Sequence, residues 1–364
     1  MKPLSGLRIL EFDGLGPVTF AGMVLADLGA DVLRLTRSAG AGAPVFADVG
    51  GEVLHRGRSS VAADLKDPDD RERVLDLVGA ADGLIEGFRP GVMERLGLGP
   101  DVCAARNPRL VYGRVTGWGQ TGPKAAEVGH DINYIALSGA LHPMGEPDRP
   151  PRPPLNLIGD YGGGAMMLVT GVLAGLIEAR RTGAGRVVDA AMTDGSALLT
   201  SLFHALSARG LWREDRGANL LDGGAPFYRC FTCRDGRFVA VGALEPRFYS
   251  ALLAGLGLSE AEAPQYDMAN WPALHARLEA IFAARDRDDW AALFEGTEAC
   301  VTPVLTLAEA PNHPHNIARN TFTASRPAQP SLAPRFADSS PSPEPEGEAF
   351  TIAGALARWA EGSS

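Results

Sequence analysis

The chain has 364 residues, 45% of them hydrophobic and 21% charged, with a formal net charge of -10. That length exceeds the usual limit for one hydrophobic core and points to two domains. The acidic balance argues against a general nucleic-acid or anionic-membrane binder, while leaving room for a local basic pocket.

Four cysteines, Cys103, Cys230, Cys233 and Cys300, are too few for a disulfide framework and fit a reducing, cytoplasmic setting. The opening MKPLSGLRILEF lacks the apolar core and cleavage site of a signal peptide. Leu7 to Phe12 reads as a short apolar strand. Pro17 opens a helix that stops before Gly29, and Asp31 to Leu35 is the next strand. This βαβ unit implies a parallel pair with a right-handed crossover. Further strands are expected at Ser60 to Leu65, Leu84 to Phe88 and Leu110 to Thr116. Between them lie a helix from Asp67 to Ala80, with Asp67 as N-cap, and a short one from Pro90 to Leu96. The alternation predicts an α/β fold with a doubly wound parallel sheet.

From Gly129 the pattern turns helical. Two helix starts stand out, GHDINYIALSGAL with His130 and NLIGDYGGGAMM with Asp160. The apolar run Ala165 to Ile177 reads as a buried helix, shorter than the roughly 18 residues of a membrane span. A strand at Val187 to Met192 and a helix capped by Asp194 and running to about Arg209 complete the large domain, 1–211. Trp212 to Pro226 is a polar, Gly-rich linker.

Residues 227–322 read as a smaller α+β domain. It opens with a hairpin around Arg234-Asp235-Gly236, followed by helices near Phe248 to Leu256, Pro272 to Arg285 and Asp288 to Glu295. A Pro- and Ser-rich return linker, 323–349, is expected to be extended or partly disordered. A short amphipathic helix ends the chain, 350–364.

Several groups have chemical potential. A lone histidine is more often a hydrogen-bonded core or surface residue than a catalyst, but its ordinary pKa of about 6.5 suits proton transfer. His130 precedes a helix start, where backbone N–H groups are unpaired; Asp131 and Asn133 there serve equally well as capping residues. Asp160 is followed by three glycines, each costing a helix roughly 1 kcal/mol against Ala. Either that helix packs closely on a neighbour, or a ligand approaches its backbone with the carboxylate at its edge. Glu245, before Pro246, reads most simply as a favourable first-turn carboxylate.

Arg34, Arg37, Arg56, Arg58, Lys66, Arg89 and Arg95 cluster near predicted strand ends, where open parallel sheets bind ligands. Arg suits phosphate, although ordinary surface charge accounts for several of these. No Walker or G-x-G-x-x-G motif follows the first strand. The CxxC at Cys230 and Cys233 lacks a second pair and reads as packing; His313 and His315 are weak metal ligands. No metal site is expected.

The blocks LADLGADVLRL, GFRPGVMERLGLGP, GRVTGWGQTGP, GHDINYIALSGAL, NLIGDYGGGAM, GGAPFY, VAVGALEPRFY and EAPNHPHN occur in order from Leu4 to about Phe322. With them the chain resembles the family III CoA-transferase superfamily, in its α-methylacyl-CoA racemase branch. The resemblance implies an interlocked homodimer whose chain end returns to the large domain. It implies His130 and Asp160 as an acid/base pair, with Glu245 orienting the histidine. It also implies coenzyme A held near Arg37, Arg58, Arg89 and Arg95. Coenzyme A is then part of the acyl-CoA substrate rather than a cofactor, and no nucleic-acid or membrane partner is expected. Backbone N–H groups near Asp131 are expected to hold the thioester oxygen. Met166, Met167 and Met192 offer adaptable surface for an acyl tail, although a core role is the simpler reading.

The function expected from this resemblance is inversion of the α-carbon of a 2-methylacyl-CoA through an enolate. Two alternatives stand beside it. In a CoA-transferase, Asp160 attacks the thioester and forms a mixed anhydride. In a non-catalytic homologue, the chain only binds acyl-CoA. The C-terminal segment departs from the family pattern.

Overall fold

The computed structural model describes residues 2–37, 50–325, 327–337 and 343–361. The chain divides into two compact units. One comprises 1–140, 154–200 and 314–364, and the other 141–153 and 201–313.

The first unit grows from the βαβ start. Strand β1 (Arg8–Phe12) leads through α1 (Pro17–Asp27) to β2 (Asp31–Arg37), and α2 (Gly51–His55) precedes β3 (Arg58–Ala63). Next come α3 (Pro68–Ala80), β4 (Gly83–Glu86), α4 (Val92–Arg95), α5 (Pro100–Arg106) and β5 (Val111–Thr116). Asp67 caps α3 as expected, its carboxylate accepting the N–H groups of Asp69 and Asp70. After α6 (Asp131–Leu137) a π-helical stretch, Leu157–Ala165, runs directly into α7 (Met166–Thr182). Strand β6 (Val187–Ala191) and helix α8 (Met192–Leu199) follow.

Every strand pair in this seven-stranded sheet is parallel. Its two faces carry separate cores. Ile9, Val18, Val24, Ile85, Val111, Leu168 and Val172 join α1 and α7 to one face. Leu10, Leu33, Leu77, Leu84, Tyr112 and Trp359 fill the other. Burial on both faces is what all-parallel strands require.

Helix α7 and the π-helical stretch make one apolar span, Leu157 to Thr182. Its 26 residues are enough, by length and composition, to cross a membrane. The expectation that this segment is too short was drawn from its strongly apolar centre alone. Half of the span's most apolar stretch is buried within the protein, as in the core helix of a globular domain.

The second unit holds α9 (Ser201–Ala208) and a three-stranded antiparallel sheet, formed by β7 (Tyr228–Thr232), β8 (Phe238–Gly242) and, later in the chain, β9 (Val301–Pro303). Between β8 and β9 lie α10 (Pro246–Leu256), α11 (Trp271–Phe282) and α12 (Arg287–Phe294). Phe227, Phe231, Tyr249, Trp271, Phe282 and Trp290 build its aromatic core. The CxxC thiols part as alternation demands: Cys230 is exposed, while Cys233 is buried.

The unit boundaries differ from the sequence expectation in three places: 141–153 and 201–226 belong with the second unit, and 314–322 with the first. The segment 141–153 belongs with the second unit, where Arg216 donates to the carbonyls of His142 (2.7 Å), Glu146 (2.9 Å) and Arg149. The helix expected from Asp194 to Arg209 is two helices parted at Thr200, whose hydroxyl bonds back to the Ala197 carbonyl at 2.7 Å. Asp194 lies inside the first turn of α8 rather than at its cap.

The chain then re-enters the first unit through α13 (Pro314–Ala318). Strand β10 (Ala349–Phe350) pairs parallel to β3, and α14 (Ile352–Glu361) packs on α3. Asp31 pins this end by accepting from Trp359 Nε1 (2.9 Å) and Arg358 (2.6 Å). Of the Pro-rich return segment, residues 326 and 338–342 lie outside the described residues.

Candidate active site

His130 is the N-cap of α6 and solvent-exposed, in extended conformation. Asn133 accepts its backbone N–H at 3.0 Å; capping is therefore the observed task of Asn133. Tyr134, one turn into α6, donates to the Gly129 carbonyl and meets Trp118 edge-on at 4.8 Å. A Cβ on Gly117 would stand 2.1 Å from the Tyr134 ring, so that glycine is needed for the close approach. Burial pushes the Tyr134 hydroxyl up to about 12, helped by the Asp160 charge and opposed by Arg89.

Asp160 lies within the π-helical stretch, three residues past its start, rather than at the first turn of an α-helix. Helical turns of this kind are frequent at functional sites, and a 3.6-residue apolar periodicity does not reveal them. Three contacts hold Asp160. Its N–H donates to Asp131 Oδ2 at 2.7 Å. Its Oδ2 accepts from Asn156 Nδ2 at 3.3 Å. On the third side Gly16 begins α1, and a Cβ there would be 3.3 Å from Asp160 Oδ2. The partly positive start of α1 thus faces the carboxylate.

Burial raises the Asp160 pKa above the ordinary carboxylate range, and the Asp131 charge adds to this. The Asn156 hydrogen bond and the nearby His130 charge oppose the rise. The His130 charge is therefore near enough to act on Asp160, and Asp131, next to His130 in the chain, joins the two helical segments.

The glycines after Asp160 have a packing explanation. A Cβ on Gly163 would be 2.7 Å from both N and Oγ of Ser196, and one on Gly164 would be 2.8 Å from Met192 Cγ. Close packing on α8 is therefore their role, and Met192 is core. Gly159, before Asp160, is different: its Cβ would fall 2.6 Å from Asp131 Oδ2. Asn156 and Gly16 were not singled out from sequence; Asn156 reaches Asp160 from one turn earlier in the same stretch, whereas only the fold brings Gly16 there.

Glu245 belongs to the second unit. It is the N-cap of α10 and exposed, yet its side chain makes no cap hydrogen bond. Its position agrees with the helix-start reading, in which the charge favours the helix dipole without a cap hydrogen bond.

The arginine cluster separates into two groups. Arg58 is fully buried, donating to Glu11 Oε1 at 2.6 Å and to the Leu54 carbonyl. It has no exposed surface to offer a phosphate, so its expected role in holding coenzyme A is withdrawn. Arg56 is similarly committed to Asp27, and Arg34 to Asp13 and Glu346. Arg37, Arg89 and Arg95 are exposed. Arg37 ends β2 and Arg89 follows β4, so both stand at the C-terminal edge of the sheet.

A doubly wound parallel sheet with a half-buried carboxyl beside the start of its first helix defines the class as α/β. The chain belongs to CoA-transferase family III, whose model matches residues 4–345. The match ends within the C-terminal segment expected to depart from the family pattern and leaves residues 346–364 outside it.

The sequence is 45% identical over 332 residues to the alpha-methylacyl-CoA racemase of Mus musculus, covering 91% of this chain and 85% of that protein. It is 44% identical over 323 residues to the alpha-methylacyl-CoA racemase of Homo sapiens, covering 88% and 83%. Among solved structures, a CAIB/BAIF family protein from Brucella suis is similar with a TM-score of 0.80 at 28% identity, over 99% of both chains.

Proposed function

We propose that this protein is a racemase that inverts the α-carbon of 2-methylacyl-CoA thioesters by proton transfer through an enolate. The reading is carried by one observation: the Asp160 carboxyl, its proton affinity raised by burial, lies within reach of the His130 charge on helical segments joined by Asp131. The extent and identity of the match to two racemases give it the substrate class.

In this mechanism one group removes the α-hydrogen from one face and the other returns a proton to the opposite face. With Asp160 ionised and His130 protonated, the carboxylate is the base and the imidazolium the acid. With the states exchanged, the reaction runs the other way. Glu245 orients His130 across an interlocked homodimer, which its uncommitted carboxylate supports. The exposed apolar side chains of Ile132, Leu137, Leu157, Leu198 and Leu199 supply a surface for that dimer. The N–H of Asp131, at the first helical position and without an intrahelical acceptor, receives the thioester oxygen. Arg37, Arg89 and Arg95 take the phosphates of coenzyme A. Four unpaired cysteines are consistent with a cytoplasmic enzyme.

The test is incubation with a single-epimer 2-methylacyl-CoA in D2O, without any acceptor acid. Deuterium at the α-carbon together with loss of the single configuration is the expected result. Transfer of CoA to an added carboxylate, with no exchange in its absence, replaces this reading with the Asp160-nucleophile transferase. Binding without either reaction replaces it with a non-catalytic homologue.

A further inference from the structure

We propose that the side chain of Asp131 is a positioning residue for Asp160: it holds the Asp160 backbone and, buried without a cation, sets a second negative charge beside the Asp160 carboxyl. Its consequence for catalysis rests on the racemase reading; its physical content does not.

The geometry is specific. Asp131 is 6% exposed, and its Oδ2 accepts the Asp160 N–H at 2.7 Å. A Cβ on Gly159 would be 2.6 Å from that oxygen and 3.2 Å from the Asp131 carbonyl, so glycine is what lets the chain pass. The other oxygen, Oδ1, is buried and has no hydrogen-bond partner. No ion pair involves Asp131 among the described residues, whereas the buried Glu11, Asp27 and Glu86 all pair with arginines. A buried carboxylate left this way is costly; its persistence calls for an effect that the uncompensated charge provides.

The groups around Asp160 leave Asp131 as the anion that acts on it. His130 and Tyr134 face it from α6, and Asn156 from its own segment. From α1 the nearest group is the uncharged Gly16. Asp194 on α8 is exposed, Asp189 on β6 accepts the Gln120 N–H, and Arg114 on β5 is committed to Glu86 and Glu94. Glu178, Arg180 and Arg181 lie in the last turns of α7.

Burial and the Asp131 charge act in the same direction, both raising the pKa of Asp160. A carboxyl that must alternate as acid and base opposite an imidazole works best when its proton affinity approaches that of its partner. An ordinary aspartyl group, at about 3.9, is a poor donor near neutrality.

Asp131→Asn retains an oxygen for the Asp160 N–H and removes the charge, whereas Asp131→Ala removes both. The direct experiment is a carbon-13 NMR titration of aspartate carboxyl groups, with the Asp160 signal assigned by its loss in Asp160→Asn. Removing a negative neighbour lowers a carboxyl pKa, so Asp160 titrates at lower pH in Asp131→Asn than in the wild type. An unmoved titration overturns the proposal.

Should Asp131→Asn fail to fold, Asp131→Ser decides, since it keeps a short oxygen side chain and removes the charge: an Asp160 titration unmoved from the wild type overturns the proposal. In epimerisation assays, the acidic limb of kcat/KM for the direction using ionised Asp160 as base moves to lower pH in Asp131→Asn. Asp131→Ala additionally lowers kcat about tenfold or more through displacement of Asp160. If the racemase reading itself is wrong, wild-type exchange is absent while the NMR shift remains.

Discussion

Glu11 and Asp131 are both buried acids of the α/β unit, 0% and 6% exposed, and their surroundings differ in one respect. Glu11 faces the fully buried Arg58, and α1 lies so close over the pair that a Cβ on Gly22 would come within 1.9 Å of Glu11 Oε2. Glu86 with Arg114, and Asp27 with Arg56, repeat the arrangement. Asp131 has a backbone N–H on one oxygen and nothing on the other. Asp160 beside it has an amide, a helix start and a histidine. The paired carboxylates belong to the scaffold, where an unpaired ion would be too costly. The unpaired ones surround the place where the proposed function moves a proton, and a fixed guanidinium there would hold the carboxylate ionised.

Substitutions on each side of this contrast separate activity from stability. Asp160→Asn is expected to have the largest effect on rate, a loss of about 10³-fold in kcat, within the range for removal of an acid–base group. The same change stabilises the fold at neutral pH. A carboxyl whose folded pKa is raised loses stability as pH rises from its unfolded to its folded pKa, and the penalty is complete above the latter. The gain in Tm of Asp160→Asn over wild type is therefore greatest at neutral pH and disappears in acid, which thermal melts across pH will show. A constant difference would break the contrast.

Arg58→Met acts the other way. It leaves Glu11 buried and uncompensated, and a loss of about 3–5 kcal/mol in denaturant unfolding is expected. Adding Glu11→Leu recovers most of it, because an apolar pair needs no partner. A smaller loss, about 1–3 kcal/mol, is expected for Gly163→Ala, whose new methyl would overlap Ser196. Arg89→Gln is expected to leave stability unchanged and raise KM about tenfold with kcat unaltered, the pattern of lost uniform binding. A fall in kcat instead would move Arg89 from coenzyme A binding into the chemistry.

Much of the first unit was legible because its cues are local. Pro17, Gly29 and the Asp67 cap delimit helices by backbone chemistry that acts within one turn, and apolar strand runs follow from burial on both faces of a parallel sheet. His130 and Asp160 were visible as residue types at helix starts. Three things were not legible. The π-helical geometry around Asp160 has no apolar period of its own. The division of the arginines into buried and exposed sets depends on carboxylates elsewhere in the chain, 47 residues away for Arg58 and Glu11. The break at Thr200 reflects a side-chain bond back to the preceding turn.

The sequence by itself determined the alternation of strands and helices, the hairpin at Asp235 and, through resemblance, the family. Those features rest on short-range backbone preference, on apolar periodicity and on motif order, all written along the chain. Only the tertiary structure decided which charges are scaffold and which belong to the site. A carboxylate's proton affinity is set by burial and by the charges around it, and Asp131 and Gly16 reach Asp160 only when α6, the π-helical stretch and α1 have packed together.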